Sequence, residues 1–240
     1  MTARARPLLI GHRGAPRERP ENTLPSFLRA LELQADGIEL DVHCTKDRVV
    51  VVHHDEIPRA TPPSGKLARR RIDDLTFDEL QGFSVRGLAL ISTLAEALAV
   101  IKGRADVFIE LKGAAIEREV VDVVRHSLAP QRCSLHSFDH TQVARARELA
   151  PEIRGGILFD REVSDPAAAM RAADALDVWP SREHVNEWLV ESVHAAGGRV
   201  IPWTVNKGEQ AVELSALGID ALCTDFIPVL RAALNETHAR

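Results

Sequence analysis

Six side chains that could do acid–base or metal chemistry stand in or at the ends of predicted strands. They are His12, Glu39, Asp41, His54, Glu110 and Lys112. Because Glu39 and Asp41 are two residues apart on one predicted strand, their side chains point to the same face. Two carboxylates on a barrel interior repel each other, and Mg²⁺ or Ca²⁺, which prefer carboxylate oxygens, would relieve that repulsion. With Glu110 as a third ligand the pattern predicts a metal site; a surface pair, or a pair neutralised by lysine or arginine, is the alternative.

Lys112 shares a face with Glu110 by the same spacing and so points toward the predicted metal. A cation beside a metal ion is unfavourable unless an anion lies between them, and a phosphate group would meet that need. The pattern therefore predicts a phosphate-containing substrate. A salt bridge from Lys112 to Glu39 or Asp41 is the alternative.

His12 and His54 are the candidate acid and base, because imidazole exchanges protons at low cost near neutral pH. Residues 37–42 and 49–54 are joined only by a tight polar turn, which is too short for a parallel crossover. We therefore predict an antiparallel hairpin whose second strand is an extra arm. If Cys44 pairs near Val49, Glu39 lies opposite His54; a shift of one residue would turn His53 inward instead.

Other side chains near the predicted site have two readings each. Arg13 follows His12 and either binds a phosphate oxygen or pairs with a nearby carboxylate. Glu21 orients His12 or Arg13. Trp203 is an apolar wall for a small substrate or part of the core, and for Trp179 the core is favoured.

The alternation of strands and helices predicts the fold. Strands are predicted at residues 8–11, 37–42, 49–54, 106–111, 132–137, 154–159, 175–179, 199–204 and 221–224. Helical patterns lie between most of them, including 23–33 with Asn22 as N-cap and a capping box at Thr93 and Glu96. Eight such units in 240 residues predict one (β/α)8 TIM barrel over residues 1–240, with an insertion at 56–90 over its mouth. Active sites of such barrels form at the carboxyl ends of the strands, where the candidate residues fall.

Composition limits the functional classes. The net charge of −5 makes nucleic acid an improbable partner. Cys44, Cys133 and Cys223 are far apart and odd in number, which is typical of free thiols in a reducing compartment. No apolar run follows the N-terminal arginines as in a signal peptide, and no stretch approaches the ~20 apolar residues that span a bilayer. We expect a cytoplasmic protein without stable membrane insertion, of undetermined oligomeric state.

The segments that hold these residues resemble the glycerophosphodiester phosphodiesterase family. They are Ile10-Gly11-His12-Arg13-Gly14, Glu21-Asn22-Thr23, Glu39-Leu40-Asp41-Val42, Thr45-Lys46-Asp47, His54-Asp55, Glu110-Leu111-Lys112, Ser137-Phe138-Asp139, Trp203-Thr204-Val205-Asn206 and Thr224-Asp225. A lone His-Arg-Gly is a weak signal, but the ordered set covers nearly the whole chain.

The resemblance implies a (β/α)8 barrel that hydrolyses glycerophosphodiesters to glycerol 3-phosphate and an alcohol. It implies Ca²⁺ or Mg²⁺ held by Glu39, Asp41 and Glu110, with His12 and His54 as the acid–base pair. It is also compatible with attack by the substrate's own glycerol hydroxyl, through a cyclic phosphate that water then opens. We expect Arg13, Lys112, Trp203 and Glu21 to contact the substrate.

The chain departs from the family pattern at three positions. Arg48 stands where glycine is usual, so the hairpin turn is expected to differ. His43 shares a face with Glu39 and Asp41, and His136 is a further unexpected histidine. These departures bear on substrate preference more than on reaction type.

Three rival functions remain. A phospholipase D-like hydrolase of lysophospholipids on the same fold would need an apolar surface near the mouth, whereas the insertion is charged and contains Arg69, Arg70 and Arg71. A phosphate-binding protein without turnover would retain the metal site, and a turnover assay separates it from an enzyme. A metal-dependent hydrolase of another bond, such as an amide, would usually use histidine as a metal ligand.

Overall fold

A rolled parallel sheet forms the centre of the molecule. The computed structural model describes residues 6–58, 60–61, 70–85 and 88–238. The strands of the barrel are β1 (Leu8–Gly11), β2 (Gly37–Cys44), β7 (Asp106–Leu111), β8 (Cys133–Ser137), β9 (Arg154–Phe159), β10 (Asp177–Pro180), β11 (Arg199–Val200) and β12 (Ala221–Thr224). Further strands are β3 (Val50–Val52), β4 (Ala60–Thr61), β5 (Ser84–Val85) and β6 (Ala89–Leu90).

The barrel strands are parallel neighbours in the order β11-β10-β9-β8-β7-β2-β1-β12. Backbone hydrogen bonds join the two ends of this order: Asp220 donates to Val200 and Cys223 donates to Pro202, both at 3.0 Å. The predicted (β/α)8 barrel is confirmed.

Helices follow the strands and cover the outside of the barrel. They are α1 (Leu24–Glu32), α2 (Phe77–Leu80), α3 (Leu94–Ile101), α4 (Glu117–Arg125), α5 (His140–Leu149), α6 (Pro166–Ala172), α7 (Glu187–Ala195), α8 (Gly208–Leu217) and α9 (Ile227–His238). The predicted capping box of Thr93 and Glu96 begins α3. No helix in the described ranges has the length and apolar character needed to cross a membrane.

The N-cap of α1 is Thr23, whose hydroxyl accepts from the Ser26 amide, so the prediction of Asn22 was wrong. Asn22 instead adopts a left-handed backbone with φ of 56°. Its side-chain amide donates to Asp41 Oδ2 at 2.7 Å and is therefore not available to the helix.

The hairpin of β2 and β3 is antiparallel, and β3 is the extra arm that the sequence predicts. Of the two registers that the sequence left open, the structure has the shifted one, with Cys44 opposite Val50. His53 is accordingly buried, and His54 lies beyond the end of β3. The turn explains the shift, because Thr45 pairs with Val49 and leaves a three-residue loop. Arg48 ends that loop at φ of 63°, the left-handed conformation that favours glycine.

The segment between β3 and α3 has its own small core. Strands β4, β5 and β6 pair in an antiparallel sheet. Its apolar cluster consists of Val51, Ile72, Leu75, Leu80, Phe83, Val85 and Ile91. Arg69, which the sequence analysis names as one of the charged residues of the insertion, lies outside the described residues.

Alternation along each strand separates two sets of side chains. On β2, Ile38, Leu40 and Val42 face the helices and belong to the large outer core. The intervening Glu39 and Asp41 therefore face the barrel interior. Below them the interior is apolar, filled by residues that include Phe108 and Trp179, whose rings meet edge to face at 5.2 Å.

Candidate active site

Three carboxylates lie together inside the barrel, on the neighbouring strands β2 and β7. Glu39, Asp41 and Glu110 are all buried, and Asp41 and Glu110 are paired in the strand register. Burial, together with the charges of Asp41 and Glu110, raises the pKa of Glu39 well above its ordinary value. Burial and the charge of Asp41 also raise the pKa of Glu110, to about 7. Such a cluster favours a positive charge among its oxygens.

Asp41 differs from the other two because cations surround it. Burial alone would raise its pKa, but the charges of Arg13, Lys112 and His54 outweigh burial and lower the pKa. Arg13 Nε lies 3.2 Å from Asp41 Oδ2. Lys112 Nζ lies 3.0 Å from Glu110 Oε1 and 3.8 Å from Asp41 Oδ1.

Arg13 is held from several sides. Its backbone amide donates to Glu39 Oε2 at 2.9 Å, and its guanidinium donates to Glu21 Oε1 at 2.8 Å. Of the two partners that the sequence allowed for Glu21, the structure brings it to Arg13, whereas His12 has another carboxylate. Of the two readings of Arg13, the structure shows the carboxylate pairing.

The residues at this site fit a divalent cation. Asp41 Oδ1 is buried and has no hydrogen-bond partner among the described residues. Possible ligand atoms of Glu39, Glu110 and His136 all lie within 4.8 Å of one another. His136 thus adds a nitrogen donor to this set, and the sequence analysis did not assign that residue to the metal.

His12 and His54 are each tied to a carboxylate. His12 Nδ1 donates to Asp225 Oδ1 and His54 Nδ1 donates to Asp55 Oδ1, both at 2.8 Å. Their side chains are 21% and 32% exposed. Each bond fixes one ring nitrogen as the proton carrier and leaves Nε2 as the atom that can exchange a proton.

Two further histidines of the hairpin have different surroundings. His43 Nε2 donates to the backbone oxygen of His54 at 3.0 Å, which fixes the end of the arm. Burial lowers the pKa of His43, and it lowers the pKa of His53 to about 4. Both rings are therefore neutral at pH 7.

The two tryptophans differ in burial and in their contacts. Trp179 is buried in the barrel interior, as the sequence favoured. Trp203 is partly buried, donates from its indole to Trp179 O at 3.0 Å and meets Phe138 edge to face at 5.5 Å.

A cavity of about 270 Å³ opens beside Lys112. It is lined mainly by polar and charged side chains that include His43, Lys46 and Arg71.

Comparison with known proteins identifies the family. The family model described as the glycerophosphoryl diester phosphodiesterase family matches residues 12–229. A glycerophosphodiester phosphodiesterase of Caldanaerobacter subterraneus subsp. tengcongensis is 32% identical over 91% of this chain and 93% of its own. The chain belongs to this family.

Other similar proteins include relatives and solved structures. A glycerophosphodiester phosphodiesterase of Bacillus altitudinis is 31% identical over 91% of this chain and 94% of its own. The solved structure of an Oleispira antarctica phosphodiesterase, in complex with the product sn-glycerol-3-phosphate, is 27% identical. It superposes with a TM-score of 0.84 and covers 95% of this chain and 97% of that one.

This family member has residues beside the site to which the sequence analysis gave no part in the site. Asp225 bonds His12, and Asn206 donates to Asp225 Oδ2 at 2.8 Å. Asn22 bonds Asp41 through both its amide groups. The signal was present in the quoted motifs, since all three residues stand in them, but only the folded chain shows which partner each one has.

The raised pKa of Glu110 predicts a pH-dependent stability. Its folded pKa of about 7 exceeds the ordinary 4.5. The folded state thus retains a proton that the unfolded state releases, and stability is lost as pH rises from about 4.5 to 7. In chelator, we expect Glu110→Gln to gain on the order of 2 kcal/mol of unfolding free energy over wild type between pH 5 and 8.

Urea denaturation at several pH values measures that difference. Glu162→Gln, at an exposed position, is the matched control and should follow the wild-type curve. A constant gap between Glu110→Gln and wild type would show that Glu110 does not carry the extra proton.

Proposed function

We propose that this protein is a metal-dependent phosphodiesterase that hydrolyses glycerophosphodiesters to sn-glycerol 3-phosphate and an alcohol. The observation that carries the proposal is the buried group of Glu39, Asp41 and Glu110, with Lys112 against it. Family membership and the product-bound relative from Oleispira antarctica support the substrate class.

Glu39, Asp41 and Glu110 would hold the cation, which we propose to be Mg²⁺ or Ca²⁺ because their oxygens suit hard ions. When bound, the ion supplies positive charge that stabilises the charge developing on the phosphoryl oxygens. The raised pKa values of Glu39 and Glu110 mean that ion binding must displace protons.

Phosphate and glycerol would be bound by four side chains. Lys112 and Arg13 supply positive charge to the non-bridging phosphoryl oxygens. Arg13 is already oriented by Glu21 and Asp41, so its side chain loses little conformational freedom when it binds the phosphate. Glu21, whose side chain is 37% exposed, accepts a hydrogen bond from a glycerol hydroxyl, and Trp203 gives an apolar wall to the carbon skeleton.

Proton transfer is assigned to the two accessible histidines. His12 takes the proton from the attacking oxygen, and His54 gives a proton to the leaving alcohol as the bond from phosphorus to that alcohol's oxygen breaks. Asp225 and Asp55 stabilise the protonated form of each imidazole through Nδ1. One histidine must be neutral and the other protonated, so the rate should rise and then fall with pH.

The cavity beside Lys112 favours a small polar alcohol over an acyl chain. Its lining includes Lys46, Arg48, Arg71, Glu56 and Asp73, which are charged. An acyl chain would leave these charges without water, at a cost in free energy. The lysophospholipid alternative is therefore disfavoured.

We also propose a reducing, cytoplasmic setting for this reaction. The three cysteines are free and buried. Burial raises the pKa of both Cys44 and Cys133 to about 11, so their thiols are unreactive.

A turnover assay tests the activity and its metal dependence. Purified protein should release sn-glycerol 3-phosphate from glycerophosphocholine or glycerophosphoethanolamine, and cleave lysophosphatidylcholine much more slowly. Excess chelator should abolish turnover because the three carboxylates lose their cation, and added Mg²⁺ or Ca²⁺ should restore it. Full activity in excess chelator would contradict the metal dependence, and equal cleavage of lysophosphatidylcholine would contradict the substrate class.

Histidine variants test the acid–base assignment. His12→Ala and His54→Ala should each lower kcat roughly 10²–10⁴-fold, since each removes a proton-transfer group. His126→Ala is the matched control, because His126 is exposed and its ring bonds the backbone of the helix that precedes it, at Asp122 O. If His54→Ala retained wild-type kcat, the role of His54 would be refuted, and His53→Ala would then be the next variant to assay.

A further inference from the structure

We propose that His136 is an additional, nitrogen ligand of the metal ion in this chain, so that the site prefers Mn²⁺ over Ca²⁺. This inference rests on the proposed metal site and adds to its three carboxylates a ligand that neither the sequence pattern nor the family resemblance supplies. It concerns which ion binds, and by which atoms.

The position of His136 follows from the strand order. β8 is the neighbour of β7, and His136 lies opposite Glu110 in their register. Alternation on β8 sends Leu135 to the outer core, so His136 points into the barrel. One of its ring nitrogens lies within 4.8 Å of carboxylate oxygens of both Glu39 and Glu110. A single ion among these atoms could contact all three side chains.

The imidazole is buried with unused bonding capacity. His136 is 1% exposed. Its Nδ1 is a buried atom with no hydrogen-bond partner in the described parts of the chain. Leaving a buried polar group unpaired costs free energy, and a group in a folded protein is normally satisfied by a partner or an ion. Two protein carboxylates beside an unsatisfied imidazole form a donor set that a cation would complete.

The ring is also held in one orientation. It stacks on Trp179 with centroids 4.5 Å apart and an angle of 5° between the planes. Gly156 lies opposite His136 on β9, and a Cβ there would stand 3.2 Å from His136 Cβ and 3.0 Å from Trp179 Nε1. The glycine therefore leaves room for the stacked pair. A ring fixed by packing offers its nitrogen to the site without losing rotamer freedom on binding.

A nitrogen ligand changes which ion the site favours. Ca²⁺ and Mg²⁺ take oxygen ligands. Imidazole suits first-row transition metals, and Mn²⁺ is a first-row ion that also accepts carboxylates. A site of three carboxylates and one imidazole should thus bind Mn²⁺ more tightly than Ca²⁺. Without the imidazole, that preference should shrink.

Pulsed electron paramagnetic resonance of Mn²⁺ tests the ligand directly. The full chain, freed of metal and loaded with one equivalent of Mn²⁺, should show coupling to a directly bound ¹⁴N nucleus. His136→Phe keeps a ring to stack on Trp179 but has no nitrogen, so the coupling should disappear. His126→Phe, which changes an exposed histidine, is the matched control and should retain it.

Affinity measurements give a second, independent result. Loss of an outer-shell partner alone costs metal affinity about 10–100-fold, so His136→Phe should weaken Mn²⁺ binding at least ~10-fold. Ca²⁺ binding should weaken by a smaller factor. Equilibrium dialysis of both ions, with circular dichroism as a check on folding, measures this. If His136→Phe fails to fold, His136→Leu takes its place, and absence of ¹⁴N coupling in wild type would by itself overturn the inference.

Each outcome decides the inference. Mn²⁺ bound without ¹⁴N coupling in wild type, or with coupling that survives in His136→Phe, overturns it while leaving the carboxylate site intact. If wild type bound no Mn²⁺ or Ca²⁺ at all, the metal dependence in the proposed function would fail with it. Glu39→Gln should bind Mn²⁺ more weakly and retain the ¹⁴N coupling. That result would support the carboxylate site and the nitrogen ligand as two separate claims.

Discussion

Burial of three carboxylates side by side in a barrel interior is the constraint on which the rest of this site depends. Adjacent parallel strands bring Glu39, Asp41 and Glu110 close together, where water cannot solvate three negative charges. Cations and protons offset this negative charge. Arg13 and Lys112 lower the pKa of Asp41, while burial raises the pKa of Glu39 and of Glu110. A divalent ion would replace the protons.

The same constraint explains the surrounding polar contacts. The guanidinium of Arg13 must be oriented to reach Asp41, and its ion pair with Glu21 and the left-handed backbone of Arg13 provide that orientation. The hairpin brings a histidine to the barrel mouth from outside the barrel. His43 holds the backbone at the end of that arm through the carbonyl of His54. The arm is thus tied to the strand that carries the carboxylates.

Sequence reasoning predicted what depends on local periodicity. Strand alternation put Glu39 and Asp41 on one face, and alternation of strands with helices gave the barrel. It did not predict contacts between residues far apart in the chain, such as Asp225 with His12, 213 residues away. It could not choose between the two hairpin registers, because that choice depends on how Thr45 and Val49 close the turn. Asn22 was misread because its amide has a competing partner in Asp41.

Calorimetric titration of the metal-free protein with Mg²⁺ or Mn²⁺ at pH 7, in buffers of different ionisation enthalpy, tests the central claim most directly. It counts the protons that leave when the ion enters. If Glu39 and Glu110 hold protons in the absence of the ion, protons should be released when the ion binds, and fewer as the pH is raised. Binding without proton release at pH 7 would contradict this account of the carboxylate cluster.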